Sequence, residues 1–169
     1  RDKEAVWDKD EDHELACRVA EETIVLLKNE DILPLQDTDN LAFIGKYAME
    51  PRYQGGGSSH INSHKITSAM DIVSGRSNIV YAQGYRDDID ETDEKLLKEA
   101  IEAAKTAKAA VIFAGLPDAF ESEGFDRTHM SMPACQNELI EKIAEVQPNT
   151  VVVLHNGSPV EMPWADKVK

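Results

Sequence analysis

The sequence predicts an α/β fold, a three-layer α/β/α sandwich around a mostly parallel, doubly wound sheet. Three observations carry that expectation. Short apolar runs alternate with segments of helical periodicity, the pattern that lays parallel strands beneath crossover helices. One run, Ala109-Ala110-Val111-Ile112-Phe113-Ala114-Gly115, holds no charge and ends on glycine, as a strand buried on both faces does. A second, Thr150-Val151-Val152-Val153-Leu154, is apolar on both faces from Val151 to Leu154, as a central strand is, yet the chain stops soon after it. The sheet is therefore expected to be truncated at its C-terminal end, with an open edge that invites self-association.

The elements follow in order. Residues 1–12 are charged and irregular apart from Val6-Trp7 and read as a linker from an upstream domain, with residues 13–169 forming an incomplete sandwich domain. Residues 11–29 have helical spacing, with Leu15, Ala16, Val19, Ala20, Thr23, Leu26 and Leu27 on one stripe. Leu33-Pro34-Leu35 is a bend, and Leu41-Ala42-Phe43-Ile44-Gly45 the first strand. A long loop, 45–63, carries Gly55-Gly56-Gly57-Ser58-Ser59, and long loops in compact domains are commonly functional. Ser63 is placed to cap the helix whose stripe is Ile66, Ala69, Met70 and Val73, with Met70 as core. Residues 78–82 form the second strand. Thr92 is read as the cap of a helix whose inward residues are Leu96, Ala100, Ala103, Ala104 and Ala107. Pro133 opens a last helix with inner residues Leu139, Ile140, Ile143 and Val146.

Composition narrows the function classes. The chain has 169 residues, the size of one domain, with 41% hydrophobic residues for a core. A net charge of −14 argues against nucleic acid and against an anionic membrane surface, both of which require clustered Lys and Arg. No apolar run reaches membrane-spanning length. Cys17 and Cys135 each fall in a predicted helix and read as small buried hydrophobes rather than a disulfide, which favours a cytoplasmic setting. Asp87, Asp88 and Asp90 do not continue into a calcium loop. The glycine-rich loop lacks the lysine and hydroxyl of a phosphate cradle.

Chemistry in an open α/β sheet sits beyond the carboxyl ends of its strands. After residues 109–115 that position is held by Phe120-Glu121-Ser122-Glu123-Gly124-Phe125-Asp126-Arg127, with four charged groups. On residue types alone a solvated acidic loop is as good a reading as a working one. His155, at the end of the last strand, has a ligand contact or a structural hydrogen bond as its alternatives, and the structural role is the commoner.

The wording of this stretch, with Met132-Pro133, Gln136 and Leu139-Ile140 behind it, resembles glycoside hydrolase family 3, which includes β-glucosidases and β-xylosidases. Glu21-Glu22-Thr23-Ile24-Val25-Leu26-Leu27-Lys28-Asn29 with Leu33-Pro34-Leu35 resembles the opening of that family's second domain, an α/β sandwich. Tyr53-Gln54-Gly55-Gly56-Gly57-Ser58-Ser59-His60 resembles its glycine-rich loop, though Ser63 stands where many relatives carry proline. The resemblance runs from about residue 14 to residue 164.

It implies that the chain is the second domain of a retaining glycosidase acting on a β-linked oligosaccharide or glycoside, without cofactor or metal. Its partner would be an N-terminal barrel domain of the same protein. Retention requires two carboxyl groups about 5–5.5 Å apart across the substrate. Glu121 and Glu123, two residues apart on an extended segment, lie side by side at roughly 6.5–7 Å between Cα atoms, which suits them poorly as a complete pair. By the resemblance the nucleophile is an aspartate on the barrel, and a barrel alone needs about 200 residues. The glutamate before glycine in the family motif maps onto Glu123 as general acid/base, with Glu121 as its competitor. Asp126 and Arg127 are expected to pair and hold the loop, and Gly55, Gly56, Gly57 and Ser58 to bind substrate or position the loop. The alternative is a stand-alone doubly wound domain that binds a small ligand without catalysis.

Overall fold

A computed structural model describes residues 6–169; the first five residues of the expected linker lie outside the described residues. Four parallel strands form one sheet: β1 Leu41–Ile44, β2 Ile79–Ala82, β3 Ala109–Gly115 and β4 Thr150–His155, in the order β2-β1-β3-β4. The helices are α1 Lys9–Thr23, α2 Ala69–Ile72, α3 Glu94–Thr106 and α4 Ala134–Val146.

The strand order dictates where the helices lie. The connection from β1 runs outward to β2, then the chain crosses back over β1 to β3 and on to β4. A right-handed crossover places a helix on opposite faces for opposite directions of travel. Accordingly α3 and α4 share one face, where Leu97, Ala100 and Ala104 of α3 meet Leu139, Ile140 and Ile143 of α4 over Ala42, Ile44, Ala110 and Ile112. The other face buries Leu41, Phe43, Val111 and Phe113 beneath the short helix α2 and the segment around Ile32 and Leu35. Met70 packs there as expected. The alanines of α3 let it approach the sheet closely.

Capping departs from the sequence reading at three helices, each time because a better-placed carboxylate or hydroxyl exists. Asp93, not Thr92, caps α3 by accepting from the Lys95 and Leu96 amides, while the Thr92 hydroxyl donates to Glu138. Leu97 rather than Leu96 is then the buried leucine. Ser68, not Ser63, caps α2 through a reciprocal box with Asp71. Ser63 instead donates to the Tyr53 hydroxyl. Pro133 stands just before α4, and the Asp90 carboxylate accepts from the Ala134 and Cys135 amides at 3.0 and 2.9 Å.

The first helix is also shorter than its periodicity. Asp8 starts it, accepting from the Asp10 and Glu11 amides, and it stops at Thr23. Ile24, Val25, Leu26 and Leu27 follow outside any helix, all exposed. The stripe has nothing to bury it among the described residues, and the β-branched run Thr23-Ile24-Val25 opposes continuation without such packing.

β4 is the edge strand of the sheet among the described residues, the open edge expected there. At its start the Thr150 carbonyl accepts from the Lys169 amide at 2.8 Å. Both cysteines are free, with Cys135 buried. No helix among the described residues is long and apolar enough to cross a membrane.

Candidate active site

The neighbours β1 and β3 send their connections in opposite directions, so a crevice opens beyond their carboxyl ends. There an open cleft of ≈ 1050 Å³ is lined by three loops: residues 52–59 after β1, 120–130 after β3 and 156–159 after β4. The loop after β3 starts from a fixed point. The Gly115 amide donates to the buried Gln136 side chain at 2.8 Å, and a Cβ on Gly115 would fall 2.1 Å from the His155 carbonyl oxygen.

The glycine-rich loop and the acidic loop are joined backbone to backbone. The Gly56 amide donates to the Glu121 carbonyl and the Glu123 amide to the Gly56 carbonyl, both at 3.1 Å, a short parallel bridge centred on Ser122. Gly57 adopts φ +97°, and a Cβ there would lie 2.6 Å from the Glu123 Cβ. Only glycine accommodates both the backbone and the neighbour.

The two glutamates, two residues apart, have opposite surroundings. Glu121 forms the floor. Arg52 Nη1 donates to its Oε2 at 2.7 Å, and Arg52 Nη2 to its carbonyl at 3.2 Å. The Gly157 amide reaches both carboxylate oxygens at 3.1 and 3.0 Å, and the Ser158 hydroxyl donates to Oε1. The side chains of Arg52 and Glu121 are only 9% and 16% exposed. Burial pushes the Glu121 carboxyl up, but the Ser158 hydroxyl, the Gly157 amide and the Arg52 guanidinium together outweigh it and hold it below its ordinary value.

Glu123 stands on the exposed rim. The Ser58 hydroxyl and the Ser58 amide, the latter at 2.7 Å, both donate to its Oε2. These contacts, the hydroxyl first, lower its pKa below the ordinary carboxylate value. Oε1 accepts no hydrogen bond among the described residues.

Asp126 and Arg127 do not pair. Arg127 Nη2 donates to the Ser158 hydroxyl and the Pro159 carbonyl, tying the β3 loop to the β4 loop, while Asp126 lines the cleft exposed. The backbone carbonyl of Pro159 and the hydroxyl of Ser158 both engage Nη2, while Nη1 is buried without a hydrogen-bond partner among the described residues. Gly55 accepts from the Ser59 hydroxyl through its carbonyl. His155 is structural: Nδ1 donates to the Arg52 carbonyl at 3.3 Å, and its ring packs near Tyr47 and Phe113. Burial pushes the imidazole pKa down, which favours the neutral ring. No group of three or more metal-ligating side chains gathers among the described residues.

The sequence reading missed Arg52 and Ser158. Arg52 reaches the chain after β3 through Asp118 and Glu121, and the end of β4 through its own carbonyl to His155. A signal existed, a lone arginine directly before the glycine-rich loop and facing an acidic one, but only the fold shows which acid it meets.

The glycosyl hydrolase family 3 C-terminal domain model matches residues 24–169. Thermostable β-glucosidase B of Acetivibrio thermocellus is 55% identical over 170 residues, covering 98% of this chain and 22% of that protein. An exo-α-(1→6)-L-arabinopyranosidase of Bifidobacterium longum is 45% identical, covering 96% of this chain and 23% of that protein. The crystal structure of a Bifidobacterium adolescentis GH3 β-glucosidase superposes with a TM-score of 0.92 at 44% identity, covering 99% of this chain and 25% of that one. The chain thus spans about a quarter of the length of these relatives.

Proposed function

The chain belongs to the glycosyl hydrolase family 3 C-terminal domain family, and from that premise we propose that it supplies the general acid/base, Glu123, to a retaining glycosidase whose nucleophile lies on a barrel domain of the same protein. One observation carries the choice of residue. Glu121 has its carboxylate occupied by Arg52, Gly157 and Ser158, whereas Glu123 stands exposed on the cleft rim with Oε1 unengaged.

In the first half-reaction a barrel carboxylate attacks C1 of the sugar as Glu123 gives its proton to the leaving glycosidic oxygen, and the C1–O bond breaks. In the second, Glu123 takes a proton from water, whose oxygen displaces the enzyme carboxylate from C1. The substrate is a β-linked glucoside, xyloside or similar glycoside.

In this chain the hydrogen bonds from Ser58 lower the Glu123 pKa. Donation near neutral pH requires the opposite shift. Burial under the barrel beside a charged nucleophile raises a carboxyl pKa, so domain docking completes the acid. The docked pair also closes the cleft that is open here.

The test uses the full-length enzyme. Glu123→Ala slows substrates with poor leaving groups by about 10²–10⁴-fold and those with good ones far less, since a good leaving group needs little protonation. Azide restores turnover by replacing the water that Glu123 no longer activates. Glu121→Ala shows neither pattern. Reversed signatures would move the role to Glu121, and their absence from both variants would place the acid/base outside this loop.

A further inference from the structure

The contact between the glycine-rich loop and Glu123 has a chemical consequence beyond joining two loops. Both donors of Ser58, the amide and the hydroxyl, converge on the same carboxylate oxygen, Oε2, and leave Oε1 of this cleft-lining residue without a hydrogen bond among the described residues. Gly57 at φ +97° turns that amide toward the carboxylate and leaves room for the Glu123 Cβ. The Glu123 amide is itself anchored to the Gly56 carbonyl, so main chain and side chain are held by consecutive parts of one loop.

We propose that Ser58 is a positioning residue for the acid/base: it occupies Oε2 so that Oε1 is the oxygen that exchanges the proton, and its hydroxyl sets how tightly Glu123 holds that proton. The inference rests on the reading of Glu123 as acid/base. A donor pair on Oε2 opposes protonation there, because each donated hydrogen already fills a lone pair. The proton therefore resides on Oε1, passes to the glycosidic oxygen as the C1–O bond breaks, and is replaced on Oε1 from water in the second step. Hydrogen bonds to the charged form also stabilise the carboxylate over the acid. Ser58 thus lowers the fraction of Glu123 that carries the proton at rest, in keeping with the lowered pKa that its two hydrogen bonds cause. The enzyme accepts that cost in return for a fixed reacting oxygen.

The experiment is the pH dependence of kcat/KM for the full-length enzyme on an aryl glycoside with a poor leaving group. Its basic limb reports the acid that must be protonated. Ser58→Ala removes the hydroxyl donor and keeps the amide. The basic limb is expected to move to higher pH, while the pH-independent rate falls because the carboxylate is less well held. Ser58→Thr, which keeps a hydroxyl, leaves the limb where it was. A loss of folded protein lowers the rate at every pH equally and moves no limb, so a purely structural role predicts parallel profiles for Ser58→Ala and the parent. Parallel profiles would overturn the inference. Glu123→Gln separates this failure from the other. If it abolishes the basic limb while Ser58→Ala leaves the limb in place, only the role of Ser58 falls. If the limb survives in Glu123→Gln, the limb belongs to another group and the acid/base reading falls with it.

Discussion

The floor and the rim of the cleft use the same residue type for opposite purposes. On the floor Glu121 is met by a guanidinium, a backbone amide and a hydroxyl from two other loops, and is shielded from water. On the rim Glu123 is met by one residue, on one oxygen, in the open. Two positions along the chain separate them. The lesson is that a carboxylate's task follows from what remains unoccupied around it. A group with all its lone pairs engaged can tie loops together but cannot exchange a proton with a substrate, whereas one held from a single side can do so.

The largest expected effect concerns the two glutamates together. The 169-residue chain alone should turn over no aryl β-glucoside or β-xyloside, because Glu121 is engaged by the floor and leaves Glu123 without a second reacting carboxylate. Turnover by purified chain free of host glucosidase, lost in Glu121→Gln, would break the comparison by making the floor residue a reactant.

A smaller loss is expected at the hinge of the rim. In the full-length enzyme Gly57→Ala places a Cβ 2.6 Å from that of Glu123, at a backbone conformation that costs an L residue about 1–2 kcal/mol. Glu123 must shift, and displacements on the ångström scale cost up to about 10²-fold in rate. The ratio of rates on poor and good leaving groups should change with it. An unchanged ratio would show that Glu123 tolerates displacement and that the rim is not pre-organised.

Breaking the floor should look different. Arg52→Met leaves the Glu121 carboxylate without its cation and should lower the free energy of unfolding by about 1–3 kcal/mol, read from chemical denaturation. In the full-length enzyme the rates on poor and good leaving groups should then fall in parallel. Glu123 keeps its own anchors on Gly56 and Ser58. A selective loss on poor leaving groups would mean that the floor positions the acid after all.

The smallest effect is on acid stability. The folded-state pKa of Glu121 lies below its ordinary value of 4.5. A depressed carboxyl contributes stability that is fully present above the unfolded value and is lost as pH falls through the folded one. Glu121→Gln should therefore flatten the stability profile below about pH 4.5, without altering its shape near neutrality. A profile that keeps the parent's slope would assign the acid sensitivity to other carboxylates.

Much of this was legible in the chain because it rests on local pattern. The unbroken, uncharged apolar run at residues 109–115, ending on glycine, reads as a strand buried on both faces, and it became β3 with the bounds read from the sequence. The clustering of Glu121 and Glu123 just past it placed the candidate site, since a parallel sheet sends its loops off the carboxyl ends. The triple glycine announced a backbone that something approaches closely. The cap residues were less legible, because Thr92 and Asp93, or Ser63 and Ser68, are equivalent as local signals and only packing fixes where the helix begins. The expected Asp126–Arg127 pair failed for a related reason. Adjacent residues on an irregular loop need not face each other, and the arginine found Ser158 and Pro159, some thirty positions away.

By itself the sequence determined the alternation of strand and helix, the all-apolar centre of the sheet and the position of the working loop, all consequences of side-chain periodicity and backbone allowance. The tertiary structure alone decided which glutamate has its carboxylate engaged on the floor and which is left open on the rim. That choice depends on Arg52 and Ser158 arriving from other strands, and on Ser58 meeting Glu123 across 65 residues of chain. Long-range contacts of this kind are set by strand order, β2-β1-β3-β4, which brings the loops after β1, β3 and β4 to one crevice. No local pattern encodes that order.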